Sequence, residues 1–186
     1  MDTRVGWTLL EAAGGKHRFV RSLQKRVECL RARDRRVLRD YLEVRFSLEI
    51  QAARLAASRR TLADIRGLWF ALARRGEYRH DEDLVSFVDR DQAVHEAVAA
   101  ASHNEELWSV YRWLSRSFHR PYLSIFADDE LREPGLTAHA KVIEAITYGD
   151  EVAAVRAVQA LFVPLLEKIT LLSGNGSVRA FDYQDH

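Results

Sequence analysis

Apolar residues recur along most of this chain at intervals of three and four, the period of helices that each bury one face. Over 34–58 the stripe runs Leu38, Leu42, Leu48, Ala52 and Leu55, with a vacancy that Arg45 fills and Asp34 placed as N-cap. An earlier helix over 16–33 carries Phe19, Leu23, Val27 and Leu30. The segment TLADIRGLWFALARR opens with Thr61 and has Asp64 three residues on, close to a capping box. GEYRHDED reads as a loop before a helix over 82–102, striped by Leu84, Phe87, Val88, Val94, Val98 and Ala101. Asn104 opens the next helix, with Leu107, Val110, Tyr111, Leu114 and Phe118 in line. FADDELREPG is the longest irregular connection; Thr137 then caps a helix to about Tyr148, broken by Gly149 and Asp150. A last helix covers 151 to about 172, and Pro164 is expected to kink or interrupt it. With no alternating Val/Ile/Thr runs, the pattern predicts an all-α antiparallel bundle of six to seven helices. It divides the chain into a linker and N-terminal helix (1–33), the bundle (34–172) and a flexible tail (173–186).

Polar groups interrupt three of these stripes. Arg45 is one; Asp91 and His95 sit one turn apart on the 82–102 stripe; His139 extends the line of Val142, Ile143 and Ile146. An unpaired ionised group inside a bundle costs several kcal/mol, so such groups are paired, hydrogen-bonded or bound to something. The cheapest structural account is an Asp91–Arg45 ion pair with the histidines hydrogen-bonded nearby. The chemical account starts from Asp91 and His95 at i and i+4, which project from one helix face roughly 6 Å apart and suit two ligands on one metal. Carboxylate with imidazole suits zinc, nickel, manganese or iron. His80, His103 and His119 fall at helix ends or beside loops, where surface hydrogen bonding is the default, and Trp69, Trp108 and Trp113 suit core or dimer packing.

Composition narrows the classes further. A chain of 186 residues, 47% of them hydrophobic, can bury one sizeable core. The single cysteine, Cys29, permits no internal disulfide and no Cys metal cluster, which fits a reducing cytoplasm. No apolar run of roughly eighteen residues and no signal-peptide pattern is present, which argues against membrane spanning and secretion. Nine Lys/Arg lie between Lys16 and Arg36 against Glu28 and Asp34, although the whole chain is only +1. Such a segment can meet phosphate, dock on the acidic remainder, or form a solvated helix face.

DYLEVRFSLEIQAARLAASRRTLADI (40–65) resembles the opening helices of the ligand-binding FCD domain of FadR-type GntR transcription regulators, with Glu43, Arg45, Leu48, Glu49 and Ala52 to Ala57 in the family pattern. DQAVHEAVAAASHNEEL (91–107) resembles its next signature, with Val94 where a Phe is usual, and HAKVIEAITYGDEVAAVRAV (139–158) the third. The resemblance covers roughly 35–166, and GWTLL resembles the linker that leads out of the family's DNA-binding domain. It implies a FadR C-terminal-like bundle that forms a homodimer and binds a small carboxylate effector at its centre. It also implies a divalent metal held by Asp91, His95 and His139; the family's fourth ligand falls on Leu161, leaving three. Arg45 occupies a position that often faces the pocket, and a guanidinium grips a carboxylate through two parallel hydrogen bonds. DNA binding is implied only through a winged helix-turn-helix, which this chain does not contain.

These readings predict an effector-sensing regulatory domain rather than an enzyme. Two alternatives stand beside it. One is a structural or partner-binding bundle whose polar cluster is an internal salt-bridge network, which the Leu161 substitution favours. The other is a metal-dependent enzyme, for which no Ser, Cys or Lys nucleophile and no clearly placed Glu base stands beside the cluster.

Overall fold

A computed structural model describes residues 35–79, 81–119, 122–123, 131 and 134–173. No strand forms among these residues, and their long helices are α1 (35–59), α2 (Leu62–Arg75), α3 (Leu84–Ala101), α4 (Glu105–Ser117), α5 (Leu136–Tyr148) and α6 (Glu151–Leu172), with residues 119 and 122–123 helical between α4 and α5. The helix expected over 16–33, the Asp34 cap, His80, most of FADDELREPG and the tail beyond 173 lie outside the described residues.

Local chemistry sets most boundaries. The Thr61–Asp64 capping box forms in both directions, Asn104 accepts from Leu107 N, and Asp150 accepts from Ala153 N. Gly149 closes α5 in the left-handed region at φ 77°, so α6 starts two residues later. Two expectations are corrected. Thr137 does not cap α5: the helix starts at Leu136 behind Gly135, and the Glu77 carboxylate accepts from Leu136 N at 3.2 Å, satisfying from a distance a donor that Thr137 was expected to help cap. Pro164 does not interrupt α6: it lies on the exposed face, and Ala160, whose carbonyl it leaves without an N–H partner, is exposed as well.

Helix α1 runs through the middle. Its Ala52, Ala53, Ala56 and Ala57 are all buried, and residues this small let neighbouring backbones approach closely. Toward its N-terminal half Tyr41 stacks on Phe118 beyond α4 at 4.6 Å, and Phe46 meets Phe162 of α6 at 5.6 Å between ring centroids. Around it, α2 packs on α3 and α5, α3 on α4, and α5 on α6. The inward stripes of α1, α3, α5 and α6 thus meet in one core (Leu42, Phe46, Val94, Val98, Ile143, Val158, Leu161 and Phe162 among others). Leu48 is only partly buried, and Glu49 takes the inward place. Trp69 and Trp113 are not core residues. Trp113 is 65% exposed, and Trp69 lies at the surface with its indole donating to Thr147 Oγ1 at 3.2 Å. Among the described tryptophans, Trp108 alone packs against the core. No helix among the described residues is long and apolar enough to cross a membrane.

Candidate functional site

Four polar residues anticipated on the inward stripes are buried: Arg45 on α1, Asp91 and His95 on α3, His139 on α5. Asp91, His95 and His139 converge, each offering a ligand atom within 4.8 Å of the others. His95 Nε2 faces His139 Nε2 at 3.3 Å, and Asp91 presents Oδ1 at 3.4 Å from His139 Nε2 and Oδ2 at 3.8 Å from His95 Nε2.

The expected Asp91–Arg45 ion pair does not form; each charge has a different partner. Arg75, at the C-terminal end of α2, donates from Nε to Asp91 Oδ1 at 2.6 Å. Its remaining nitrogens reach the carbonyls of Gly76 (2.8 Å) and Pro134 (3.1 Å), so the guanidinium is fixed from three sides. Arg45 pairs instead with Glu49, one turn along α1, at 3.1 Å. The i, i+4 geometry within one helix gives Arg45 a partner that costs no tertiary rearrangement. Tyr122 Oη donates to Asp91 Oδ2 at 2.7 Å and Tyr111 Oη to Glu49 Oε1 at 2.5 Å. Burial raises both phenol pKa values well above the usual range, so both hydroxyls keep the protons they donate.

Glu49 and Arg75 were missed as site residues. Glu49 is four residues from Arg45 and seven from Leu42, so it lies on the inward face of α1. Arg75 follows Leu68 and Leu72 at helical spacing but reads as one of two basic residues ending a helix.

Hydrogen bonding fixes the protons on both imidazoles. Burial alone would raise the Glu49 pKa, but His95, Arg45 and Tyr111 outweigh it and hold the carboxyl down at about 2, so it is ionised and accepts from His95 Nδ1 at 2.8 Å. His139 Nδ1 lies 3.0 Å from the Gly135 carbonyl, which can only accept. Each Nδ1 therefore carries a hydrogen, and in a neutral ring each Nε2 is a bare lone pair. Burial lowers the His95 pKa, which favours that neutral ring. Asp91 is held well below the carboxylate range: burial opposes this, but His139, His95 and Arg75 prevail. The centre thus brings the Nε2 atoms of two imidazoles, each a lone pair when its ring is neutral, together with a carboxylate.

That donor set fits a divalent cation. Two imidazole nitrogens on one ion about 2.1 Å away stand about 3.0–3.4 Å apart, the range in which the 3.3 Å separation falls. The Glu49 and Gly135 bonds to the far nitrogens are the outer-shell contacts that orient metal-binding histidines. Beside the histidines lies a cavity of about 10 Å³, room for about one water-sized particle, walled by Val98, Val142, Val158, Leu161 and Phe162. Leu161 therefore stands beside the two histidines, and its alkyl group supplies no donor. It also lines a larger groove of about 420 Å³ with Pro134, Ala138, Ala160, Pro164, Leu165 and Lys168.

Arg45 presents a second unfinished valence. It is fully buried, yet Nη1 and Nη2 form no well-aligned hydrogen bond; the polar group beside them is the Tyr41 hydroxyl, whose pKa burial raises and the Arg45 guanidinium lowers. The guanidinium carbon lies 4.4 Å from the Tyr122 ring centroid, with Tyr111 and Phe162 at 5.9 and 5.8 Å. Aromatic faces offset part of the desolvation but accept no N–H bond of ordinary strength. A guanidinium fork of this kind has the two parallel donors that a carboxylate accepts from. His103 and His119, as expected, make surface contacts, to Asp64 at 2.8 Å and Asp89 at 2.9 Å.

The family model of the FCD domain matches residues 40–163, a span that holds all four anticipated residues together with Glu49 and Arg75. No curated protein matches the chain.

Proposed function

The chain belongs to the FCD-domain family, ligand-sensing regulatory domains of GntR-type transcription regulators, and on that premise we propose that its core is an effector site for a small organic acid completed by a divalent metal. Asp91, His95 and His139 hold the metal, and Arg45 binds the carboxylate of the effector. A bound metal supplies a Lewis acid to which the acid's oxygen is drawn; the protein's own part is to orient both histidines and to exclude water. The observation that carries this reading is the meeting of two histidine Nε2 atoms and the Asp91 carboxylate, joined through Glu49 to a buried guanidinium whose terminal nitrogens form no well-aligned hydrogen bond. Zinc, nickel, manganese and iron all suit these ligands.

An acid larger than one ion does not fit the inner cavity, and Leu161 is the wall shared with the outer groove. Binding therefore moves Leu161 and, with it, α6 against α5. That displacement is the signal: a ligand that binds one packing of the helices better than another shifts their equilibrium. The regulator acts as a homodimer in the cytoplasm and passes the shift to a winged helix-turn-helix DNA-binding domain. Regulation rather than catalysis also agrees with the family, which is effector-binding.

Elemental analysis of protein purified without chelator or affinity metal, beside His95→Ala, tests the metal. About one equivalent lost in the variant is expected; equal metal content in both ends the assignment. Thermal stabilisation by a panel of carboxylic acids, beside Arg45→Ala, tests the acid; stabilisation that survives the substitution removes Arg45 from the site.

A second reading, a metal-free structural network, is favoured by Leu161 at the fourth-ligand position and by the complete Arg75–Asp91 and Arg45–Glu49 pairs. Under it the core tolerates joint replacement of Arg45 and Glu49 by apolar residues, and no acid stabilises the fold.

A further inference from the structure

We propose that Glu49 couples the two halves of this site, so that an anion on Arg45 and a metal on His95 each tighten the binding of the other. This rests on the effector-site reading above and adds to it the residue that connects the anion to the metal.

The geometry makes Glu49 a bridge. One carboxylate, 3% exposed, accepts from His95 Nδ1 on Oε2 at 3.0 Å and from Arg45 Nε on Oε1 at 3.1 Å. Tyr111 donates to the same oxygen, Oε1, and pins it in place. On Arg45, the donors not used by Glu49 are Nη1 and Nη2, which form no well-aligned hydrogen bond. On His95, the nitrogen not used by Glu49 is the one that faces His139. Each neighbour of Glu49 therefore spends one atom on the carboxylate and offers the opposite atom to a ligand.

The sign of the coupling follows from charge. An anion at Nη1 and Nη2 neutralises part of the guanidinium charge, so Glu49 pulls harder on the His95 Nδ1 proton. That raises electron density at Nε2 and strengthens it as a metal ligand. In reverse, a cation at Nε2 makes Nδ1–H more acidic and draws Glu49 toward His95, leaving Arg45 with more charge for the anion. Linkage requires the two effects to be equal in binding free energy. A direct attraction between metal and anion also couples them, so the test must separate charge passing through Glu49 from charge acting across the gap.

The measurement is zinc affinity, by competition with a chelating indicator, with and without saturating acetate, for the wild-type chain, Glu49→Gln and Glu49→Asp. Acetate is expected to tighten zinc about tenfold in the wild type. Glu49→Gln keeps an acceptor for Nδ1–H but carries no charge. It should bind zinc roughly 10- to 100-fold more weakly and respond to acetate by about twofold or less, whereas Glu49→Asp keeps most of the response. The His95 Nδ1 proton resonance gives a readout that stability does not move: acetate should shift it downfield in wild type and leave it in place in Glu49→Gln. Full acetate response in Glu49→Gln, or none in wild type that binds both ligands, overturns the coupling. A wild-type chain that binds neither zinc nor acetate overturns the effector site itself, and this inference with it. Should Glu49→Gln fail to fold, Tyr111→Phe, which leaves the carboxylate charged, must keep the acetate response; its loss there counts against the bridge.

Discussion

Replacing Arg75 with methionine isolates the electrostatics that hold Asp91. Both side chains are buried, at 1% and 0% exposure, and their Nε–Oδ1 contact is 2.6 Å. Methionine fills much of the same volume but leaves an ionised carboxylate with only the Tyr122 hydroxyl and the His139 and His95 imidazoles around it among the described residues. Removing one partner of a buried pair costs about 3–5 kcal/mol, mostly the uncompensated charge rather than the lost bond. The freed Gly76 and Pro134 carbonyls add roughly 1 kcal/mol each where water does not reach them. Urea denaturation followed by far-ultraviolet circular dichroism should show this loss in the midpoint, with an unchanged slope. The cost should shrink in the double variant Arg75→Met/Asp91→Leu, because no charge then remains to be stranded. Excess zinc should stabilise Arg75→Met more than wild type if the metal takes over neutralising Asp91. An Arg75→Met variant within about 1 kcal/mol of wild type, or a double variant worse than the single, would refute the reasoning.

Four further outcomes follow from the same geometry. Leu161→His places an imidazole beside the two histidines and should raise zinc affinity about tenfold or more, measured by the same indicator competition; no gain means that position 161 does not reach the ion. Glu49 sits at about 2 against an ordinary 4.5, so its contribution, on the order of 3 kcal/mol, is complete above pH 4.5 and is lost as pH falls toward 2. Glu49→Gln should therefore flatten the acid limb of stability against pH between 4.5 and 2, as read by urea midpoints across that range. Thr61→Ala removes both the cap to Asp64 N and the hydroxyl contact to Asp64, and should cost about 1 kcal/mol. Gly149→Ala forces a side chain onto a residue at φ 77°, costing about 1 kcal/mol or more, visible as a lower Tm; the nearby Arg60 guanidinium is flexible enough to move aside.

Most of the fold was legible because helix periodicity and capping are local. Thr61 with Asp64, Asn104, and Gly149 before Asp150 mark helix ends through bonds spanning three or four residues, and each mark was found in place. The exceptions share a cause. Thr137 was displaced as a cap by Glu77, a residue far away in sequence, and Pro164 is tolerated because that side of α6 is exposed. Trp113 and Val110 continue an apolar pattern yet face outward, at 65% and 49% exposure, since a period shows which residues share a face but not how wide the buried part is.

The site divides in the same way. That Arg45, Asp91, His95 and His139 point inward was readable, because a polar residue on an apolar stripe shares the stripe's direction. Which charge pairs with which was not. Arg45 and Asp91 looked like natural partners, but pairing depends on where helix axes cross, and the crossings give Asp91 to Arg75 and Arg45 to Glu49. The tautomers of both histidines likewise depend on a carboxylate from α1 and a carbonyl at the start of α5. Sequence alone determined the helices, their inward faces and the residue types available for chemistry, because these follow from spacing along one chain. Only the tertiary structure decided that two imidazole Nε2 atoms face each other and that the terminal nitrogens of a buried guanidinium form no well-aligned hydrogen bond, since both depend on distances between helices.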